Sequence, residues 1–216
     1  VSTVKPDSYE GLELWLDADQ IEGTDGEIIK KWSDLSGQGN HADNANGAPI
    51  LKVGALNGHN VIYFNSDNGT DDLLWTTRNF DNLSNGYTMF SVARYAGGRR
   101  GRLISSRTQN WLWGFWNNRT RQWHANGWIA NGGQNNTNWH LHSGDINNAG
   151  DPRANWWIDG HKLANNHGGS NNSNYKPGVM AFGGVWGNFG EMTNGQMNKA
   201  IRMATGMINK NPKLKK

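Results

Sequence analysis

Apolar residues in this chain recur at every second position over short runs, and hardly ever at the three- and four-residue spacing of a helix. In GLELWLDAD, Leu12, Leu14 and Leu16 fall on one side and Glu13, Trp15 and Asp17 on the other. That two-residue period marks a half-buried β-strand. Further strand runs are VIYF (61–64), TMFSVARY (88–95), RLIS (102–105), NWLWGFW (110–116), the stretch from Trp123 to Ile129, NWHLHSG (138–144) and ANWWIDG (154–160). Between them lie SGQGN, SDNGTDD, NGGQNNTN, INNAGDP and NHGGSNNSN. About one residue in seven is Asn and 29 are Gly. Both tolerate left-handed backbone and close tight turns. Short strands with such punctuation predict an all-β fold, an antiparallel sandwich of two packed sheets.

No repeat or linker divides the 216 residues, so residues 1–205 are read as one β-sandwich domain. Met197, Lys199, Ile201 and Met203 alternate as a last strand would. Beyond Gly206 the sequence turns polar and basic, and 206–216 are expected to form a frayed tail.

Composition narrows the function. The 12 tryptophans and low net charge of +3 exclude a disordered chain. The segment 210–216 alone carries four lysines, leaving the body near −1 (3 − 4), which is no footprint for nucleic acid. Arg94, Arg99, Arg100, Arg102 and Arg107 surround a glycine turn and read as a solvated hairpin tip, with contact to an anionic polysaccharide as the functional alternative. The absence of cysteine removes disulfides, thiolate nucleophiles and cysteine-held metals. No apolar run is long enough for a membrane span.

Several segments in order resemble the laminin G-like domains of the concanavalin A-like lectin/glucanase superfamily, in the form found in large bacterial exported proteins. They are LELWLDAD, WSDLSGQGNHA (32–42), VIYFNSDNGTDDLL, YTMFSVARYAGG, NWLWGFW with HANGW, NWHLH and WWIDGHKLANNHGG. The match runs from about Leu12 to Gln196; at its end Asn198-Lys199-Ala200 replaces the family's usual acidic helix start. The resemblance implies a concanavalin A-like jelly roll, a secreted or cell-surface location, and a scaffold for glycan binding or adhesion. It also implies a rim calcium site, for which Asp34 with Asn40 ranks first, before the Asp67/Asp71/Asp72 loop and Asp145 with Asn147. Each of these carboxylates has an alternative use as a loop cap.

Trp111, Trp113, Trp116, Trp123 and Trp128 lie within eighteen residues, mixed with His124, Asn110, Asn117 and Asn126. Flat rings beside amides and imidazole suit a sugar, whose C–H faces stack while its hydroxyls need donors and acceptors. Alternation sends Trp111, Trp113 and Phe115 to one face and Trp116 to the other, so at most half can meet a ligand. Trp113 and Trp116 are both candidates for substitution without unfolding. His124, His140 and His142 could share one sheet face and hold zinc. Catalysis is not expected: only five Glu are present, and Glu13, Asp17 and Asp19 make the nearest approach to a carboxylate pair. The expected partner is a polysaccharide or cell-surface glycan. The alternative is a structural subunit of an extracellular layer, fibre or capsid decoration, packed against neighbouring protein subunits.

Overall fold

The computed structural model describes residues 5–65, 71–83, 86–96, 101–147, 153–163, 176–183, 199–202 and 205–209. Their strands are β1 (Leu12–Leu16), β2 (Ala42–Asn46), β3 (Ile50–Leu56), β4 (His59–Phe64), β5 (Leu73–Asn79), β6 (Tyr87–Tyr95), β7 (Ile104–Ser106) and β8 (Trp111–Trp116). There follow β9 (Arg119–Ala125), β10 (Trp128–Gly132), β11 (His140–Ile146), β12 (Ala154–Ile158), β13 (His161–Lys162), β14 (Val179–Phe182), β15 (Lys199–Arg202) and β16 (Thr205–Asn209). Two 3-10 turns, Pro6–Ser8 and Ala18–Gln20, are the only helical elements among the described residues.

The strands form two sheets, every pair antiparallel, as the two-residue period requires. The first runs β13-β12-β11-β6-β15-β4-β3, with β16 continuing beside β6 and pairing β1 on its far side. The second runs β10-β9-β8-β7-β14-β5-β2. The all-β sandwich read from the sequence is the observed fold. The expected boundary at 205/206 is corrected: Thr205–Asn209 is a strand between β1 and β6, not a tail. The polar, basic composition after Gly206 hid a short run, TGMIN, that the sheet needs to bridge its first strand to its centre. Residues 210–216 lie outside the described residues.

The abundance of Asn and Gly has a local cause. Four hairpins turn through two residues: Asn57-Gly58, Asn117-Asn118, Asn126-Gly127 and Asp159-Gly160. Every one of these residues has positive φ, the condition that lets a two-residue turn follow the twist of its strands. The Asn126-Gly127 turn also splits the single strand expected from Trp123 to Ile129 into β9 and β10.

Between the sheets, Leu14, Leu16, Trp32, Phe64, Tyr87, Met89, Tyr95, Trp111, Trp113, Phe115, Trp123 and Phe182 are fully or almost fully buried. Aromatic rings dominate here, and of the indole N–H groups those of Trp111 and Trp113 find acceptors while those of Trp32 and Trp123 do not. Trp111 Nε1 donates to Tyr87 Oη at 2.7 Å and Trp113 Nε1 to Ser91 Oγ at 2.8 Å. Both bonds cross from β8 in one sheet to β6 in the other. Burial drives the Tyr87 hydroxyl well above its usual range, so it stays a neutral acceptor and donor. Gly144 on β11 makes room for these rings. A Cβ there would meet Trp123 Cζ3 at 2.9 Å, Asn155 O at 2.8 Å and Trp113 Cη2 at 3.1 Å.

Trp113→Ala is expected to destabilise the domain by about 3–5 kcal/mol through the cavity it leaves. Trp113→Phe, which keeps most of the volume but strands the Ser91 hydroxyl, should cost about 1–3 kcal/mol. Urea unfolding of the three proteins measures both.

Candidate functional site

The tryptophan-rich strands divide as their register dictates. Trp113 pairs with Trp123 and Ile104, all of the core. Their neighbours Leu112, His124 and Trp128 pair in turn, and therefore stand on the outer face of the second sheet. Trp111, Trp113 and Trp123 are fully buried. The expectation that they contact a ligand is corrected: their rings fill the core because they fall on the inward pleat.

Trp116, His124 and Trp128 are half-buried, each with part of its ring at the surface, and come together. The Trp116 and Trp128 rings are stacked, with centroids 5.3 Å apart and planes 18° apart. His124 stands edge-on to Trp128 at 5.1 Å. Its Nδ1 donates to the Asn110 carbonyl at 3.0 Å, which leaves Nε2 as the acceptor of the neutral ring. Burial first, and then the nearby Arg102 charge, hold the His124 pKa below its usual value. The imidazole is therefore neutral at pH 7 and offers lone-pair chemistry instead of charge.

The arginines of the glycine turn are not a solvated tip. Arg102 lies 6.0 Å from the Trp116 ring centre, Arg107 4.0 Å from that of Trp75, and Arg94 5.0 Å from that of Trp139. Each guanidinium lies over an indole face. Arg99 and Arg100 lie outside the described residues. Trp75 belongs to the same outer face as Trp128, since Asn44, Trp75, Ala181, Ser105, Leu112, His124 and Trp128 follow one another across the paired strands. Sequence reasoning missed Trp75 because it stands alone in its run.

Asp34 and Asn40 are also adjacent, but they close a loop upon itself. Asp34 Oδ1 accepts from the backbone N–H of Trp15 and of Ser36, both at 2.9 Å. Its Oδ2 accepts from Asn40 N at 2.8 Å and Ser36 Oγ at 2.7 Å. Asn40 Nδ2 donates to Glu13 O at 2.7 Å. These residues do not fit a calcium ion, because four donors already converge on the carboxylate and would set their hydrogens against a cation. The Asp72 carboxylate closes its loop in the same way, and Asp145 is a strand residue of β11. Buried Asp72 accepts from Ala48 N and Asn65 N, and Asp145 from Asn155 Nδ2; Asp67 lies outside the described residues.

His140 and His142 share a face of β11, as alternation requires, and it is the inward face. His124 stands on the outer face of the opposite sheet, so the three imidazoles do not meet. The buried His142 ring donates from Nε2 to Thr120 O of β9 at 2.7 Å, while its Nδ1 finds no partner. Glu13, Asp17 and Asp19 do not share a strand face either. β1 ends at Leu16; Asp17 caps the following 3-10 turn by accepting from Asp19 N, and Asp19 accepts from Asn60 N and meets His59.

No protein-family model and no curated protein matches the sequence. Solved structures do match in fold. A botulinum neurotoxin type C structure, described as dependent upon interaction with two ganglioside molecules for cell entry, is 12% identical with TM-score 0.60 over 93% of this chain and 48% of that one. The binding domain of botulinum neurotoxin DC in complex with rat synaptotagmin II is 13% identical, with TM-score 0.60 over 93% and 48%. The binding domain of Paraclostridial Mosquitocidal Protein 1 is 12% identical, with TM-score 0.59 over 95% and 50%. The sandwich is thus shared with toxin receptor-binding domains. The chain spans about half the length of the structures it matches. No helix among the described residues is long and apolar enough to cross a membrane.

Two measurements check these assignments. Burial lowers the His142 pKa from 6.5 to about 4, so the fold refuses a proton that the unfolded chain accepts. The stability this contributes is complete above pH 6.5 and is lost as pH falls from 6.5 towards 4, by about 3 kcal/mol in all. His142→Gln, which keeps a donor for Thr120 and does not titrate, should flatten that slope in denaturant titrations across this range. Asp34→Ala should lower stability by about 1–3 kcal/mol, whereas adding calcium or a chelator should leave the melting temperature of the parent protein unchanged. A calcium-dependent rise would overturn the loop-closing role.

Proposed function

We propose that this chain is an extracellular carbohydrate-binding or adhesion module of the concanavalin A-like, laminin G-like kind, recognising a polysaccharide or cell-surface glycan. The observation that carries the reading is the stacked, part-exposed pair of Trp116 and Trp128 with His124 against it. A sugar ring is apolar on its C–H face and polar at its edge. A continuous indole surface meets the first need, and the flanking imidazole and asparagines meet the second.

Binding without catalysis agrees with how the carboxylates are used, since Asp17, Asp19 and Asp34 each serve a cap or loop. Recognition on the outer sheet face also needs no metal at the Asp34 loop. The fold shared with toxin receptor-binding domains supports a cell-surface target, glycan or protein.

Trp116→Ala and Trp128→Ala are each expected to weaken, tenfold or more on an array, the binding of those oligosaccharides that this face takes, while circular dichroism shows the fold retained. Full retention of binding in both variants would remove this face as the site.

A further inference from the structure

The opposite side of the molecule carries a second aromatic feature, on the outer face of the first sheet. Phe90 of β6 pairs with Ser143 of β11, and Ser143 pairs with Trp157 of β12. These three residues stand side by side on one pleat, with the serine hydroxyl between two rings. Neighbouring strands are about 4.8 Å apart, so the ring-bearing strands lie about 10 Å apart. One pleat step along, Thr88 and Asp145 pair in the same way and place a hydroxyl and a carboxylate beside the rings. Thr88, Phe90, Ser143, Gly144, Asp145, Trp157 and Gly160 enclose a groove of about 360 Å³.

The groove is exposed and held in shape. Phe90 is 40% exposed, unusual for a large apolar side chain in mid-strand. Lys162, on the edge strand beyond β12, lies 5.3 Å from the Trp157 ring centre. Asn155 Nδ2 donates to Asp145 Oδ1 at 3.2 Å and orients the carboxylate.

We propose that this groove is a second, independent glycan subsite, taking one pyranose ring between Phe90 and Trp157. Two ring walls match the two C–H faces of a sugar. Ser143 and Thr88 can donate or accept at its edge, and Asp145, acceptor only, takes its hydroxyl protons. A peptide added as a strand would need an open sheet edge, and the groove lies on a face whose strands are paired on both sides. Because it faces away from Trp116 and Trp128, one molecule would hold two glycan chains at once.

The test uses the whole chain carrying Trp116→Ala, which removes the first patch, titrated with neutral hexose and N-acetylhexosamine oligosaccharides and read by saturation-transfer NMR. Binding is expected to persist in this background and to fall tenfold or more on adding Phe90→Ala or Trp157→Ala. Circular dichroism confirms that each variant is folded, as substitutions at an exposed groove should be. Undiminished binding in Trp116→Ala/Trp157→Ala overturns the proposal. So does an absence of neutral-sugar binding in Trp116→Ala when the parent binds, a result that leaves the first site standing. Sedimentation showing an oligomer that Phe90→Ala or Trp157→Ala dissolves would overturn it too, by making the face a contact between copies.

Discussion

Three hydrogen bonds across the core set the relation of the two sheets. Trp111 to Tyr87, Trp113 to Ser91 and His142 to Thr120 each join a strand of one sheet to a strand of the other. Hydrophobic burial supplies most of the drive to stack two sheets, but it has no direction. A hydrogen bond in a dry interior does, and leaving its donor unpaired carries a penalty. These bonds therefore fix which residue of β8 and β9 lies over which residue of β6 and β11. The outward-facing residues inherit that choice: once Trp113 is pinned inward, Leu112 and His124 must point outward, and Trp128 with them.

Much of the fold was legible because the turn chemistry is explicit. Asn57-Gly58 and Asp159-Gly160 announce their hairpins, and the alternation in β1 and β6 appears in burial as written. Three things were not. The face on which each tryptophan falls depends on an absolute in/out choice, which a period of two leaves open. The last strands contain few apolar residues and gain their place from partners distant in sequence, so β16 reads as tail. Asp34 looks the same from sequence whether its carboxylate binds a cation or closes a loop, since short polar loops serve both ends.

The candidate site was half visible for a related reason. Trp116, His124 and Trp128 sit within a short stretch, so proximity in sequence pointed to them. Trp75, Phe90 and Trp157 lie on separate strands, and only the sheet register brings them beside Arg107 and Ser143. In a sandwich the outer faces gather residues across strands, at right angles to the chain, and that direction is not written in any local window.

The position of β15 and β16 bears on how the chain reaches this state. They fill the flank of β6 between β1 and β4, so β1 pairs with a strand from the far end of the described sequence. Closing loops of that span is slow. During synthesis, the flank of the central strand stays open until β15 and β16 emerge, with its backbone groups ready to pair with another chain. The first sheet can therefore close only after β15 and β16 have been made, and a nascent chain depends on these two strands for protection against mispairing.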